Sequence, residues 1–158
     1  MRTLPSNAKH DLLRRPHLQE AFDAHPVHEL LVLICGHGGR DSRCGIMGPL
    51  LRSEFIDKLQ RAGASVNNTP DVDGGGDAKK IEAKVGLISH IGGHKWAGNV
   101  IVYVPPSWGG PLAGKGVWYG RVEPKHVEGI VEETVVKGRV VRELFRGGVE
   151  SGGGVLRL

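Results

Sequence analysis

The sequence predicts an α/β domain in which helices flank a central mixed sheet of about four strands. Three observations support this class. Short apolar runs end at glycine or proline residues, a segment with helical apolar periodicity lies between two of these runs, and the length of 158 residues suits a single hydrophobic core. The 25 glycines gather mainly between the predicted elements, where functional loops are usually built.

The first predicted strand and helix come from the segment 30–63. Residues 30–34 form a continuous apolar run, which is typical of a strand buried on both faces, and residues 36–45 form a glycine-rich loop. Pro49 suits the first turn of the helix that follows, and Gly63 is placed to cap its C-terminus. The apolar face of this helix recurs every four residues and consists of Met47, Leu51, Phe55 and Leu59.

The remaining predicted elements are three strands and a second helix. The strands are residues 85–88, 100–104 and 117–119, and the helix begins at Pro124. Residues 140–145 either extend that helix or start a short new one. A strand–helix–strand unit followed by a hairpin and a closing helix is the thioredoxin-like plan, although other short α/β topologies share this order.

The predicted organisation is one domain with a leader, an insertion and a tail. Residues 1–27, which contain three prolines, form a leader packed on the domain, and residues 28–146 form the domain itself. Residues 64–83 are rich in Asn, Asp, Pro and Gly and are predicted to be a long flexible insertion. Residues 147–158 are predicted to be a flexible tail because three consecutive glycines interrupt them.

Composition and charge exclude several classes of protein. Hydrophobic residues make up 39% and charged residues 24%, which excludes a wholly disordered chain. No apolar run approaches the roughly 18–20 residues that a membrane span needs, so we expect no membrane association. The net charge of +4 is scattered along the chain and aromatic residues are only 5%, so we expect no nucleic-acid partner.

Two glycine-rich loops carry the residues with the most distinctive chemistry. Cys35 and Cys44, the two cysteines of the chain, flank the first loop with eight residues between them. His90 and His94 flank the second loop with three residues between them. Both loops follow predicted strands, and the strand ends of an α/β sheet are the usual position of a binding site. These four side chains could therefore converge on one metal centre.

Three chemistries compete for these four residues. A structural zinc ion accepts two cysteines and two histidines, but zinc fingers place their cysteines only a few residues apart. A disulfide switch would use Cys35 and Cys44 alone, without the C-x-x-C spacing of thioredoxin-like oxidoreductases. A [2Fe–2S] cluster is larger and suits widely spaced ligands; Rieske clusters have two Cys and two His ligands, although each loop there supplies one of each. Taken singly, each residue is also compatible with a buried core Cys or an exposed loop His.

Three segments carry a resemblance to a known family. Residues 35–45, 90–99 and 118–122 are similar to segments of the fungal sucrase/ferredoxin-like proteins, which are thioredoxin-like ferredoxins with an altered-inheritance-of-mitochondria branch and an actin-patches-distal branch. The resemblance implies a thioredoxin-like ferredoxin fold, a [2Fe–2S] cluster, and that the chain is the C-terminal domain of a longer protein. It favours the mitochondrial branch and so a mitochondrial location, with the cytoplasm as the alternative. The cluster ligands that it implies are Cys35, Cys44, His90 and His94.

The expected function is electron transfer by a carrier that is not itself an enzyme. A centre with two thiolates and two imidazoles carries less negative charge than a four-thiolate centre, so it accepts an electron more readily. Any reductase activity would depend on a partner, an unidentified redox protein, and nothing in the sequence indicates the oligomeric state. The first glycine loop is not a dinucleotide site, because Asp41 stands where a third glycine is needed.

Several residues beside the proposed ligands have two interpretations each. Trp96 either shields the centre or belongs to the core, and Asn99 and Arg121 are candidates for contacts around the ligands. Four charged or titratable loop residues either hydrogen-bond the centre and dock an acidic redox partner, or are ordinary exposed residues. These four are His37, Arg40, Arg43 and Lys95.

Overall fold

Parts of the chain lie outside what the computed structural model describes. They include most of the predicted leader, residues 68–80 of the predicted insertion and residues 151–153 of the predicted tail. Of His94 the backbone is described but the side chain is not. The described residues are 25–67, 81–150 and 154–158, together with Ala21.

The described residues form one mixed sheet of six strands. The strands are β1 (Leu30–Cys35), β2 (Ser65–Val66), β3 (Glu82–Ile88), β4 (Val100–Val104), β5 (Lys115–Tyr119) and β6 (Phe145–Val149). Their order in the sheet is β2-β3-β1-β4-β5-β6, with β3 parallel to β1 and β2 and the remaining pairs antiparallel. The predicted mixed sheet and thioredoxin-like order are confirmed, but the sheet has six strands instead of about four.

The two strands that were not predicted lie at the edges of the sheet. β2 is two residues long, too short to show an alternating pattern, and it begins inside the predicted insertion. Before β6, a short 3₁₀ helix spans Arg142–Leu144, which agrees with the second of the two expectations for residues 140–145, a short new helix. The tail that was predicted from residue 147 onward therefore begins inside β6, whose backbone groups pair with β5.

Two helices pack against the sheet and each other. α1 (Ser42–Arg61) packs on β1 and β3, and α2 (Pro124–Ile130) packs on α1 and continues into a wider π-helical segment, Val131–Val136. In the described part of the chain, no helix combines the length and the hydropathy of a membrane span. The predicted apolar face of α1 is confirmed, with Met47 half-buried and three residues fully buried. These three are Leu51, Phe55 and Leu59.

β1 is fully buried on one face only. Its alternate residues Leu30, Val32 and Ile34 belong to the same buried core as the apolar face of α1. On the opposite face, Leu31 and Leu33 are half-buried. The prediction of a strand buried on both faces is therefore wrong, because the core that contains α1 lies against one face of the strand.

α1 begins earlier than predicted, and the second cysteine therefore belongs to the helix. Asp41 is the N-cap residue, and its carboxylate accepts a hydrogen bond from the Arg43 N–H at 2.9 Å. Pro49 lies inside the helix and not in its first turn. Residues 42–45, which were predicted as loop, thus form the start of α1.

Because β1 and β3 are parallel, the two glycine-rich loops that follow them lie together at the carboxyl ends of these strands. Cys35 pairs with Ile88 at the carboxyl ends of these strands. β4 runs antiparallel to β1, so its first residues lie at the same end. The loop after β1, the loop after β3 and the start of β4 therefore meet where an α/β sheet usually holds its site.

Candidate metal centre

The two cysteines are buried, and glycines allow them to come close. Cys35 ends β1 and Cys44 lies in the first turn of α1, and each is 1% exposed. A methyl group on Gly45 would lie 2.7 Å from the Cα of Gly38, so the loop packs directly on α1 only because these residues lack side chains. A methyl group on Gly48 would lie 3.0 Å from the carbonyl oxygen of Cys35.

His90 follows β3 and joins the two cysteines. Its Nδ1 lies 3.9 Å from the Sγ of Cys35, and the ligand atoms of Cys35, Cys44 and His90 all lie within 4.8 Å of one another. His94 begins a short 3₁₀ helix, His94–Trp96, in the same loop, and its side chain lies outside the described part. The structure thus brings together three of the four residues that were expected to be ligands.

The thiol of Cys44 favours its neutral form in this environment. Burial, together with the neighbouring Cys35 thiol, raises the pKa of Cys44 to about 11. The charge of Arg43 acts in the opposite direction and lowers the pKa of Cys44, but burial is the largest of these effects. The thiolate therefore becomes the stable form at neutral pH when a cation binds beside it, which is how a metal ligand behaves.

This set of donors fits a metal centre with soft ligands. Thiolates and imidazoles bind zinc and the iron of iron–sulfur clusters, whereas magnesium and calcium require oxygen donors. The 3.9 Å between the Sγ of Cys35 and the Nδ1 of His90 is near the separation of about 3.6 Å expected for two ligands of one tetrahedral zinc ion. Ligands on the two irons of a [2Fe–2S] cluster would lie further apart, by the length of the bridged core.

Asn99 lies beside the cysteines and is fully buried. The Cys35 N–H donates a hydrogen bond to the backbone carbonyl of Asn99 at 3.0 Å, and Arg146 donates to the side-chain Oδ1 of Asn99. The sequence identified Asn99 as a neighbour of the site but not Arg146. No sequence signal pointed to Arg146, because β6, which carries it, has no alternating apolar pattern.

Trp96 lies at the border of the site and is surrounded by cations. The Nζ of Lys95 lies 5.5 Å from the centre of the indole ring, and the guanidinium carbons of Arg121 and Arg146 lie 4.3 and 4.6 Å from it. Within the described ranges, no carboxylate pairs with any of these three cations. Burial and the nearby Arg121 lower the pKa of Arg146. Trp96 is half-buried and is not part of the apolar core.

The charged residues of the first loop differ in what they do. Arg43 forms an ion pair with Asp41 at 2.9 Å and so reinforces the N-cap of α1. His37 and Arg40 are exposed.

Arg121, which lies outside this loop, has a φ of 58°. Among the described residues it is the one non-glycine residue in the left-handed region. Its guanidinium lies over the ring of Trp96.

Fold and site together define an α/β domain of thioredoxin-like topology with a candidate cysteine–histidine metal centre at one edge of its sheet. The chain belongs to the sucrase/ferredoxin-like family, whose sequence profile matches residues 2–147. The resemblance carried by residues 35–45, 90–99 and 118–122 is thus confirmed.

Relatives from both fungal branches match the chain. Altered inheritance of mitochondria protein 32 of Clavispora lusitaniae is 45% identical over 141 residues, which cover 87% of this chain and 41% of that protein. Its counterpart in Meyerozyma guilliermondii is 41% identical over 126 residues, which cover 80% of this chain and 37% of that protein. Actin patches distal protein 1 of Saccharomyces cerevisiae is 37% identical over 107 residues, which cover 66% of this chain and 29% of that protein. The chain therefore spans about two fifths or less of the length of these relatives.

A solved structure with a similar fold is the wild-type thioredoxin-like [2Fe-2S] ferredoxin from Aquifex aeolicus. The two chains superpose with a TM-score of 0.45 at 20% identity, over 75% of this chain and 97% of the other. At this identity the likeness concerns the fold alone.

Proposed function

We propose that this chain is an electron-transfer domain that holds a [2Fe–2S] cluster. The proposal is carried by one observation, the convergence of thiol and imidazole groups from two separate loops to within 4.8 Å of one another. Membership of a family described as sucrase/ferredoxin-like supports an iron–sulfur centre among the metals that these donors accept. The proposed ligands are Cys35, Cys44, His90 and His94.

The proposed ligand set suits a buried centre. Two thiolates and two neutral imidazoles balance the charge of an oxidised cluster, whereas four thiolates would leave a net negative charge in a buried site. A neutral centre accepts an electron more readily than a negative one. We therefore expect a reduction potential well above the value of about −400 mV that is typical of plant-type ferredoxins.

The two loops have different tasks in this proposal. Because each loop supplies one pair of residues, we expect both cysteines to bind one iron and both histidines the other. A ligating imidazole keeps one ring N–H and binds this proton more tightly when the neighbouring iron is reduced. His90 is half-buried, so its ring lies near solvent. The reduction potential should therefore fall by up to about 59 mV per pH unit at alkaline pH.

The domain acts in this proposal as a carrier that serves a partner. Lys95, Arg121 and Arg146 form a cationic surface around Trp96, next to the loop that carries the histidines. Such a surface suits a redox partner with an acidic face, because opposite charges speed encounter and orient the two proteins. The name of the relatives, altered inheritance of mitochondria, supports a mitochondrial location.

A zinc-stabilised interaction domain is the second candidate. The 3.9 Å between Cys35 Sγ and His90 Nδ1 favours it, because two ligands of a single tetrahedral ion have about this spacing. A thiol–disulfide function of Cys35 and Cys44 is the third, and the two thiols are free in the structure. All three candidates use Cys35 and Cys44, so the metal content of the purified chain separates them.

An absorption spectrum combined with metal analysis of the purified chain tests the proposal. We expect a red-brown protein with bands between about 400 and 600 nm that bleach with dithionite, and iron and acid-labile sulfide in equal amounts. A colourless protein with one zinc ion would instead support the second candidate. A colourless, metal-free protein with a reversible Cys35–Cys44 bond would support the third.

A further inference from the structure

Asn99 carries a buried hydrogen-bond donor that has no partner. The residue is 0% exposed, and its side-chain Nδ2 contacts no acceptor within the described residues. Burying an amide N–H without an acceptor destabilises the folded protein, and buried polar groups of native proteins are almost always paired. The donor is therefore placed to meet a group that binds at this position.

The orientation of the Asn99 amide is fixed by Arg146. A guanidinium group only donates hydrogen bonds, so the amide oxygen, and not the nitrogen, must face Arg146. The carbon of the guanidinium lies 4.6 Å from the centre of the Trp96 ring and 5.4 Å from that of Trp118. The Nδ2 group is thus on the side of the amide that does not face Arg146.

The Asn99 side chain lies on the same face of the sheet as Cys35. Ile34 pairs with Val100 in the antiparallel register of β1 and β4, so the next residue pair is Cys35 and Asn99. Directly opposite residues in antiparallel strands project their side chains from the same face, with Cβ atoms about 5 Å apart. A methyl group on Gly92 would lie 3.1 Å from the Asn99 Oδ1, so the amide also contacts the histidine loop.

We infer that the Nδ2 of Asn99 donates a hydrogen bond to an inorganic sulfide of the bound cluster, and so raises the reduction potential of the cluster. This inference rests on the proposed iron–sulfur function. A hydrogen bond to sulfur is stronger when the sulfur carries more negative charge, which is the case in the reduced state. Arg146 holds the amide and adds a positive charge nearby, so the pair favours the reduced centre.

Voltammetry of the full chain tests the inference with four variants. Asn99→Asp keeps an acceptor for Arg146 but loses the N–H group, and Asn99→Leu removes the donor without adding charge. Asn67→Asp and Asn67→Leu are the matched controls, because Asn67 is exposed and lies far from the site along the strands. It follows β2, which pairs with the first residues of β3, whereas the site lies at the carboxyl end of β3. We expect both Asn99 variants to lower the equilibrium constant for reduction at least about tenfold, a fall of about 59 mV for one electron. The Asn67 variants should keep the wild-type potential.

Pulsed EPR of the reduced wild-type chain, labelled with ¹⁵N-asparagine, gives a second test that needs no variant. Coupling of the electron spin to an asparagine nitrogen would support the inference, and its absence would overturn it. Unchanged potentials in both Asn99 variants would also overturn it, while leaving the iron–sulfur function intact. A wild-type chain that contains neither iron nor sulfide would overturn both.

Discussion

The cysteine arm (residues 35–45) and the histidine arm (residues 89–98) of the candidate centre are built differently. The cysteine arm is held by backbone hydrogen bonds from turn to turn, by glycine contacts and by a capped helix, and both of its thiols are 1% exposed. In the described part of the histidine arm, a backbone hydrogen bond from the Trp96 N–H to the Gly93 carbonyl begins the short 3₁₀ helix His94–Trp96. The side chains of Asn99 and Arg146 contact this arm from outside.

This difference matches the chemistry of the two ligand types. Thiolates carry charge, so they gain from a fixed and buried position beside the metal, where competing water is excluded. Neutral imidazoles exchange a proton on reduction, so they gain from an arm that reaches solvent. In the proposed centre, the cysteine arm would thus supply the fixed and buried ligands, and the histidine arm would supply the ligands nearer solvent.

The largest expected effect separates the ligands of the two arms. Cys44→Ser should abolish the visible absorption of the centre, because a buried serine hydroxyl cannot replace the thiolate. His90→Cys should retain a cluster, since cysteine is an accepted ligand, but with a lower potential and a weaker dependence on pH. Absorption spectra and voltammetry between pH 6 and 10 check both variants. A Cys44→Ser protein with undiminished bands would remove Cys44 from the ligand set.

The next effect concerns the packing of the cysteine arm. Gly45→Ala should lower the free energy of unfolding by about 2–3 kcal/mol, because the new methyl group would lie 2.7 Å from the Cα of Gly38 and backbone cannot yield easily. Gly129→Ala is the matched control: it is also a helical glycine, but its added methyl group meets nothing within 4 Å. We expect the control to gain up to about 1 kcal/mol from helix propensity. Urea unfolding measures both, and equal stabilities would contradict the close contact.

A smaller effect is expected for the same kind of change in the histidine arm. Gly92 has a φ of 75°, so Gly92→Ala should cost roughly 1–2 kcal/mol through backbone strain. The nearest atom to its new methyl group is the Nη1 of Arg146, at the end of a flexible side chain that can move away. Urea unfolding should therefore show a smaller loss than for Gly45→Ala. The reverse order would mean that the histidine arm is the more rigid of the two.

The smallest expected effect concerns an ion pair that should change the pH dependence of folding stability but not the reduction potential of the centre. Lys84 lies 2.7 Å from Glu29 near the opposite end of β1, and its hydrogen bond lowers the pKa of Glu29. A carboxyl group whose pKa is lowered on folding stabilises the folded protein at pH values above its pKa in the unfolded chain. This stabilisation is lost as the pH falls through its pKa in the folded protein. Glu29→Gln should therefore cost roughly 0.5 kcal/mol at pH 7 and nothing at pH 2. Thermal unfolding checks this, and the potential above pH 6 should match the wild type.

The sequence was most informative where side-chain pattern and structure coincide. The apolar runs predicted β1 and β4, and the four-residue period predicted the buried face of α1, because these patterns directly reflect burial. The start of α1 was missed although Asp41 is a typical N-cap residue, since the surrounding glycines indicated a loop. β6 was missed because two glycines leave it without an alternating pattern.

The candidate site was predictable only in part. Cys35, Cys44 and His90 were identified because two cysteines flank one glycine-rich loop and two histidines flank another, and the structure brings the ligand atoms of these three residues together. The roles of these three residues and of His94 as metal ligands stay predictions. The contacts of Arg146 with Asn99 and Trp96 arise from the pairing of β6 with β5, which local sequence does not encode.

Mössbauer spectroscopy of the oxidised chain, enriched in ⁵⁷Fe, tests the arrangement of ligands most directly. Two thiolates on one iron and two imidazoles on the other predict two quadrupole doublets of equal area, because the two irons differ in their donor atoms. A single doublet from two equivalent irons, or a protein that takes up no iron, would contradict the division of the centre between a cysteine arm and a histidine arm.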